Sequence, residues 1–167
     1  MGLRKIAVSL HVKLKIFLPP SHNGAYMTIE VKFDIPYNRI ANLLIDSLEA
    51  SSLYWASIDK KEKPSQVKFV EVIGQDDPEN KARVLDGALY LSEYVLNKDG
   101  ALIIRDNETD NDRLRFHKLD LEKVKKGLKC FAKYQPKHFA DFISENEDGT
   151  TADVFLQCCL FGEVLYG

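Results

Sequence analysis

The segment from Asp148 to Gly167, DGTTADVFLQCCLFGEVLYG, constrains the fold most strongly, because as a helix it is apolar on almost every side. Val154, Cys158 and Phe161 fall on one helical stripe, and Cys159 falls beside it. A helix of this kind is usually buried in a protein core. We therefore predict an interior helix whose cysteines pack as small hydrophobic residues, because a reactive thiol needs exposure and basic neighbours.

Apolar and polar residues alternate along residues 5–16, KIAVSLHVKLKI, and this period of two is typical of a half-buried strand. The alternation recurs over residues 29–35, after a turn-forming segment with proline and glycine, so the two strands are predicted to pair as a hairpin. Further strands are predicted at residues 67–73, 85–96, 101–106 and 113–119. Of these, residues 85–96 also match a short helix in part.

Helical spacing predicts three helices in the last third of the chain, beginning after an Asp120 cap, at Pro136, and at Thr150 or Thr151. An earlier helix is predicted after an Asp34 cap. The order of strands, one helix, strands and then helices predicts a single α+β domain over residues 1–167. In this fold an antiparallel sheet carries helices on one face. Residues 1–26 form an extra strand or, alternatively, an extension preceding a native start at Met27.

Composition limits the classes of partner. The chain has 167 residues and a formal net charge of −2, which is too close to neutral for nucleic-acid binding by bulk electrostatics. A weakly acidic face directed at a basic partner remains open. The three cysteines have neither zinc-site spacing nor the even count of a disulfide framework, which favours a reducing cytoplasm. No segment approaches the roughly 18 apolar residues of a membrane span, so no membrane partner is predicted.

Two carboxylates near the start of the last helix have two interpretations. In the first interpretation, the helix dipole stabilises Asp153 in the first helical turn, and Asp148-Gly149 is an ordinary turn pair. Alternatively, Asp148 and Asp153 bind a divalent metal together with Glu145 or Asp141 and hydrolyse nucleotides or nucleic acid.

Other features give catalysis no support. The chain has no Walker loop, G-x-S-x-G, G-x-G-x-x-G or H-E-x-x-H motif, and no cofactor is predicted. The segment DNETDND, residues 106–112, fails the calcium-loop pattern at its sixth and twelfth positions and is interpreted as a solvated hairpin loop. Tyr54-Trp55 either completes the core or stacks on a base or a protein partner. One face of the first predicted strand is basic, and it either contacts phosphates or protects a strand edge. Its residues are Lys5, His11, Lys13 and Lys15, with Arg4 adjacent.

From about Met27 onward, three groups of residues carry a resemblance to known sequences. Glu49 followed by Tyr54-Trp55 resembles a Glu-Gly-Gly-Ser-Asn-Tyr-Trp turn, although residues 50–53 differ from it. The segment GLKCFAKYQPKHFADF resembles a helix pair that carries Gly127, Pro136, His138 and Asp141. The last group resembles the pattern Asp-x-x-Thr-x-Asp-x-x-Leu-Gln, met here by Asp148, Thr151, Asp153, Leu156 and Gln157, with Gly162 following.

These groups resemble a family of small proteins encoded by bacteriophages and prophages. The resemblance implies an accessory phage protein acting in a bacterial cytoplasm, and it carries over no activity. We therefore expect a non-enzymatic binder or inhibitor of a host protein, such as an anti-phage defence protein. The candidate partner-binding residues are Tyr54, Trp55, His138 and Gln157. The alternatives are the metal-dependent hydrolase and a nucleic-acid-binding module.

Overall fold

The computed structural model describes residues 7–17, 26–59 and 89–167 of the chain. They form an α+β fold, as the sequence predicts. These ranges contain two small antiparallel sheets, where one sheet was predicted, and five α-helices. The chain divides into two compact units, Met1–Tyr37 and Asn38–Gly167. The turn predicted at residues 18–24 and the strand predicted at residues 67–73 lie outside the described residues.

The first unit contains a hairpin. Strand β1, Ala7–Phe17, pairs antiparallel with strand β2, Tyr26–Pro36, along their whole length. Leu10 is buried, whereas its neighbours Ser9 and His11 are exposed. An apolar residue is thus buried between two exposed polar residues, as expected for a strand with one buried face. The predicted hairpin is confirmed.

A helix follows the hairpin directly. Helix α1 spans Tyr37–Asp46 and continues into a π-helical turn, Ser47–Ser51. The sequence predicts the end of this helix near residues 49–52, where the π-helical turn ends. The prediction that Asp34 caps this helix is wrong, because Asp34 lies inside β2. The strand continues through Pro36, and proline at a strand end needs no ladder donor.

The second sheet contains strand β3, Ala56–Ile58, strand β4, Ala101–Asp106, and strand β5, Phe116–Asp120, in the order β3-β4-β5. The hairpin predicted from residues 101–119 is therefore confirmed. Leu102 and Ile104 are fully buried on the face of β4 against which the helices pack.

Residues 85–96 contain a helix, not the predicted strand. Helix α2 spans Leu89–Leu96, and its buried residues Leu91, Tyr94 and Val95 follow helical spacing. A short run that is apolar at nearly every position matches both periods, and packing decides between them.

Two further helices confirm their predicted starts. Asp120 caps helix α3, Leu121–Tyr134, by accepting a hydrogen bond from the Lys123 amide at 2.9 Å. Helix α4, Pro136–Ile143, begins at its proline. Within the described ranges, no helix is both long and apolar enough to cross a membrane.

The last helix lies in the core. Helix α5 spans Gly149–Leu160, and every residue from 151 to 160 is buried, as predicted. It contacts α3 closely, since a Cβ atom at Gly127 would lie 2.3 Å from Cys159 Sγ. Glycine at this position is what allows the two helices to approach each other.

Candidate functional site

The π-helical turn packs against the first half of α5. Ser47 is buried, and its hydroxyl lies 2.6 Å from the carbonyl oxygens of both Leu43 and Ala152. The Ser52 amide donates to the Ser47 carbonyl at 3.1 Å, which closes the turn. Consequently the chain from Ser52 to Trp55 passes directly over the next residue of α5, Asp153.

Asp153 is a buried carboxylate, only 6% exposed, at the centre of this region. Its Oδ1 accepts hydrogen bonds from the Ser52 hydroxyl and the Trp55 indole N–H, both at 2.7 Å. Its Oδ2 accepts from the Tyr54 hydroxyl at 2.9 Å and from the Gln157 amide at 2.8 Å. We call these five residues the Asp153 network.

The Asp153 network satisfies an anion with neutral donors. A carboxylate offers about four lone-pair sites, and four donors fill them here. Hydrogen bonds to a charged acceptor are stronger than neutral ones, so they offset the cost of burying the charge. The Tyr54 hydroxyl is affected as well, because burial and the hydrogen bond to Asp153 raise the pKa of Tyr54 to about 12.

Gln157 extends the network to the segment after α5. It lies one helical turn beyond Asp153, on the same face. Its Oε1 accepts from the backbone amides of Leu165 and Tyr166, both at 2.8 Å. Its Nε2 also donates to the Tyr166 carbonyl at 2.9 Å. A single side-chain amide thus holds the backbone of residues 165 and 166 in place.

A second buried carboxylate, Asp106, receives the side chain of Tyr166. The Tyr166 hydroxyl donates to Asp106 Oδ2 at 2.7 Å, and the ring stacks on Trp55 at a centroid distance of 5.2 Å. Burial, again with this hydrogen bond, raises the pKa of Tyr166 to about 12. Asp106 Oδ1 accepts from the amides of Glu108 and Thr109 at 3.0 and 3.3 Å.

The interpretation of DNETDND as solvated is wrong at its first residue. Asp106 is only 3% exposed, because it ends β4 on the same face as Ile104 and points inward. Neither Asp106 nor Tyr166 was a candidate from sequence. The available signal was the period of β4, which places every second residue from Leu102 in the core.

Asp148 has a different role from Asp153. It caps α5, and its Oδ1 accepts the Thr151 amide at 2.8 Å. That hydrogen bond holds the pKa of the exposed Asp148 carboxyl below its ordinary value. Because the helix begins at Gly149, the prediction that Asp153 lies in its first turn is wrong.

The two carboxylates do not converge on a common point for a metal. Asp148 holds the helix end, while the lone pairs of Asp153 are filled by four donors. No group of three or more His, Cys, Asp or Glu that could hold a metal ion occurs in the part of the chain that the structure describes.

The four candidate partner-binding residues differ in exposure. Trp55 and Gln157 are both 0% exposed, so they support the surface from within and present no side-chain contact to a partner. Tyr54 is 53% exposed. His138 is partly buried, with Nδ1 3.4 Å from the Thr151 hydroxyl. His138 contacts Thr151 of α5, whereas Tyr54 contacts Asp153. Because residues two apart on a helix point in different directions, His138 and Tyr54 contact different faces of α5.

Acidic side chains lie beside the π-helical turn. Burial raises the pKa of Asp46, and repulsion by Glu147 and Glu49 adds to this, which indicates that the three carboxylates are neighbours. Arg39 partly compensates them, with ion pairs of 2.8 Å to Glu147 and 2.9 Å to Glu145.

The cysteines are interior residues, as predicted. All three are free and buried, and burial raises the pKa of Cys158 and of Cys159. The Cys130 thiol donates to the Gly162 carbonyl at 2.9 Å.

Comparisons with protein-family models, with curated proteins and with solved structures found no match to this chain.

Proposed function

We propose that this chain is a bacteriophage accessory protein that binds and inhibits a protein of the host bacterium, in the cytoplasm and without catalysis. One observation carries the proposal. Leu53 and Tyr54 are 56% and 53% exposed, and they project from a turn that is fixed to the buried Asp153. We call this pair the Leu53–Tyr54 turn.

The Leu53–Tyr54 turn has the properties of an interface anchor. Tyrosine supplies a large contact area at a low cost in side-chain entropy, and it is enriched among residues that dominate binding energy. The hydrogen bond from Tyr54 to Asp153 orients the ring before any partner arrives, which lowers the cost of binding.

The charge of the segment before the turn favours a basic partner. Asp46 and Glu49 precede Leu53 in the sequence, at the end of α1 and in the π-helical turn, and the Glu147 and Glu49 charges both act on Asp46. Complementary charge accelerates encounter and selects among partners. We therefore expect the host protein to present a basic surface, such as the nucleic-acid-binding face of a defence nuclease, which the bound chain would cover.

No observation favours the two alternative functions. The metal-dependent hydrolase would need Asp148 and Asp153, but the first caps a helix and the second accepts four hydrogen bonds. A nucleic-acid-binding module would need Trp55 exposed for stacking, whereas it is buried. The acidic residues of the preceding segment, Asp46 and Glu49, would also repel phosphates.

The proposal is tested by affinity capture from a bacterial host lysate with the native chain and three variants. Leu53→Ala removes apolar contact area and Glu49→Lys reverses one charge. Leu114→Ala is the matched control, because Leu114 is exposed to a similar extent but lies between β4 and β5.

We expect one host protein to be recovered by the native chain and the control, with at least ten-fold less recovered by each of the other two variants. Its association rate should fall as ionic strength rises, because salt screens the charges. Recovery that is equal for all four chains, or the absence of a specific partner, would contradict the proposal.

A further inference from the structure

The hairpin of β1 and β2 is a sheet of only two strands, so each strand is also an edge. Its ladder runs from Ala7 opposite Pro36 to Phe17 opposite Tyr26. Within the described ranges, no strand pairs with the other edge of β2. An edge strand presents backbone N–H and C=O groups that can pair with a further strand, and a two-stranded hairpin alone is at best marginally stable in water.

Charges of opposite sign alternate along β2. Glu30, Lys32 and Asp34 are all exposed, and they occupy every second position of the strand. The Lys32 ammonium also forms an ion pair of 3.1 Å with the Asp34 carboxylate. Because every second residue of a strand lies on the same face, the three charges share one face of the hairpin. The buried Ile35 lies on the opposite face.

The sequence of β2 is complementary to itself in an antiparallel pair of two copies. When the whole of Tyr26–Pro36 overlaps with the same strand of a second copy, the twofold axis passes through Val31. Position 30 of each copy then faces position 32 of the other, so Glu30 lies opposite Lys32 twice. Opposite charges directly across an antiparallel pair attract each other. The charge pattern therefore matches the register with the most backbone pairing.

Neighbouring registers lose this match. Shifting one strand by two residues places Glu30 opposite Glu30 in one direction and Lys32 opposite Lys32 in the other. Shifting it by one residue places charged positions opposite apolar ones, which mixes the two faces. Larger shifts leave fewer residues paired.

Strand β1 lacks this complementarity. In the corresponding full-length pairing, which is centred on Val12, His11 lies opposite Lys13 twice, so basic residues face each other. Lysines on an edge strand are a common protection against pairing with another chain. The basic face of β1 therefore favours edge protection, and β2 is the edge that fits a second copy.

We propose that two copies of the chain associate through their β2 strands, antiparallel about Val31, and form a four-stranded sheet in the order β1-β2-β2-β1. Full overlap supplies roughly ten main-chain hydrogen bonds, because alternate pairs of an antiparallel ladder exchange two each. Both copies contribute the same strand, so the interface is closed by twofold symmetry. The proposal rests on none of the residues that carry the proposed function.

Sedimentation equilibrium of the full-length chain tests the proposal. We expect a monomer–dimer equilibrium for the native chain. In a dimer of Lys32→Glu, acidic side chains face each other at both charge pairs, so its dissociation constant should rise by about ten-fold or more. A native chain that stays monomeric up to about 100 μM would overturn the proposal. A Lys32→Glu dimer as tight as the native one would also overturn it.

Mixing two variants tests the register. Glu30→Lys places basic side chains opposite each other at both pairs, so it should also dimerise about ten-fold more weakly or worse. An equal mixture of Glu30→Lys and Lys32→Glu chains restores opposite charges at both pairs, and it should dimerise about as tightly as the native chain. A mixture that sediments like the two separate variants would reject this register and with it the proposal.

The matched control is Lys13→Glu. Lys13 lies opposite Glu30 within the hairpin, so this substitution places like charges across the β1–β2 ladder, as Glu30→Lys also does. It changes no charge pair of the dimer, and its dissociation constant should stay within about two-fold of the native value. A loss equal to that of Glu30→Lys would mean that the variants act by disrupting the hairpin, and the proposal would fall.

The test remains decisive if Glu30→Lys does not form the hairpin. Lys32 lies opposite His11 in the β1–β2 ladder, so Lys32→Glu adds no like charge across the hairpin. The comparison of Lys32→Glu with the native chain then decides the proposal by itself.

Discussion

Two buried carboxylates, Asp153 and Asp106, each hold a tyrosine hydroxyl, yet they are assembled in different ways. Asp106 takes two of its three hydrogen bonds from amides two and three positions along the chain. Asp153 takes three of its four from side chains 98 to 101 positions away. The first arrangement can form in a local turn, whereas the second exists only once the π-helical turn and α5 have packed together. Asp153 therefore couples the fold of this unit to the shape of its surface.

The largest effect should come from Asp153→Asn. The new amide group directs N–H donors at groups that are themselves donors, so two charge-assisted hydrogen bonds are lost. We expect the free energy of unfolding to fall by about 2–4 kcal/mol. Urea unfolding followed by Trp55 fluorescence measures this. A loss below about 1 kcal/mol would mean that the network contributes little more than an average surface contact.

Asp106→Asn should cost less, about 1–2 kcal/mol, because an asparagine oxygen still accepts the two local amides. The lost interaction is the charged hydrogen bond to Tyr166. A double-mutant cycle with Tyr166→Phe isolates it, and the expected coupling is about 0.5–1.5 kcal/mol. Additive effects of the two substitutions would show that this hydrogen bond does not contribute to stability.

Asp148→Ala provides the exposed carboxylate for comparison. Loss of an N-cap costs about 1 kcal/mol. Because the Thr151 hydrogen bond lowers the pKa of Asp148 in the folded chain, its contribution is present above the ordinary carboxyl pKa and is lost as pH falls. Native and variant stabilities should therefore approach each other in acid, which urea titrations at pH 7 and below would reveal. A constant difference across that range would argue against capping by the ionised form.

The smallest effect should appear at high pH. The folded-state pKa values of Tyr54 and Tyr166 are about 12, above the ordinary value of 10.0. Between these values the unfolded chain loses protons that the folded chain keeps, so stability falls as pH rises from about 10 to about 12. The double variant Tyr54→Phe, Tyr166→Phe should show a shallower decline in its urea midpoint. Identical slopes for the two chains would contradict the raised pKa values.

Local patterns in the sequence predict much of the fold. The period of two in β1 and β2, the Asp120 cap and the buried character of α5 each depend on near neighbours, and the structure confirms them. Residues 89–96 were predicted wrongly because a run apolar at nearly every position carries no decisive period.

The site was less predictable, because its partners are far apart in the sequence. Asp153 and Gln157 stand four residues apart on a helix that is otherwise apolar, and buried polar groups require partners. This spacing is a signal that was not used in the sequence analysis above, and it does not identify Ser52 or Trp55 as the donors to Asp153. Tertiary packing supplies that information.

The interior position of the cysteines makes the chain its own folding reporter. Cys159 Sγ packs against Gly127, and the other two cysteines are also buried. A thiol-modifying dye can therefore react only with molecules whose helices have separated. At low dye concentration, the rate of modification measures how often the helices separate. A partner that stabilises the unit would lower this rate.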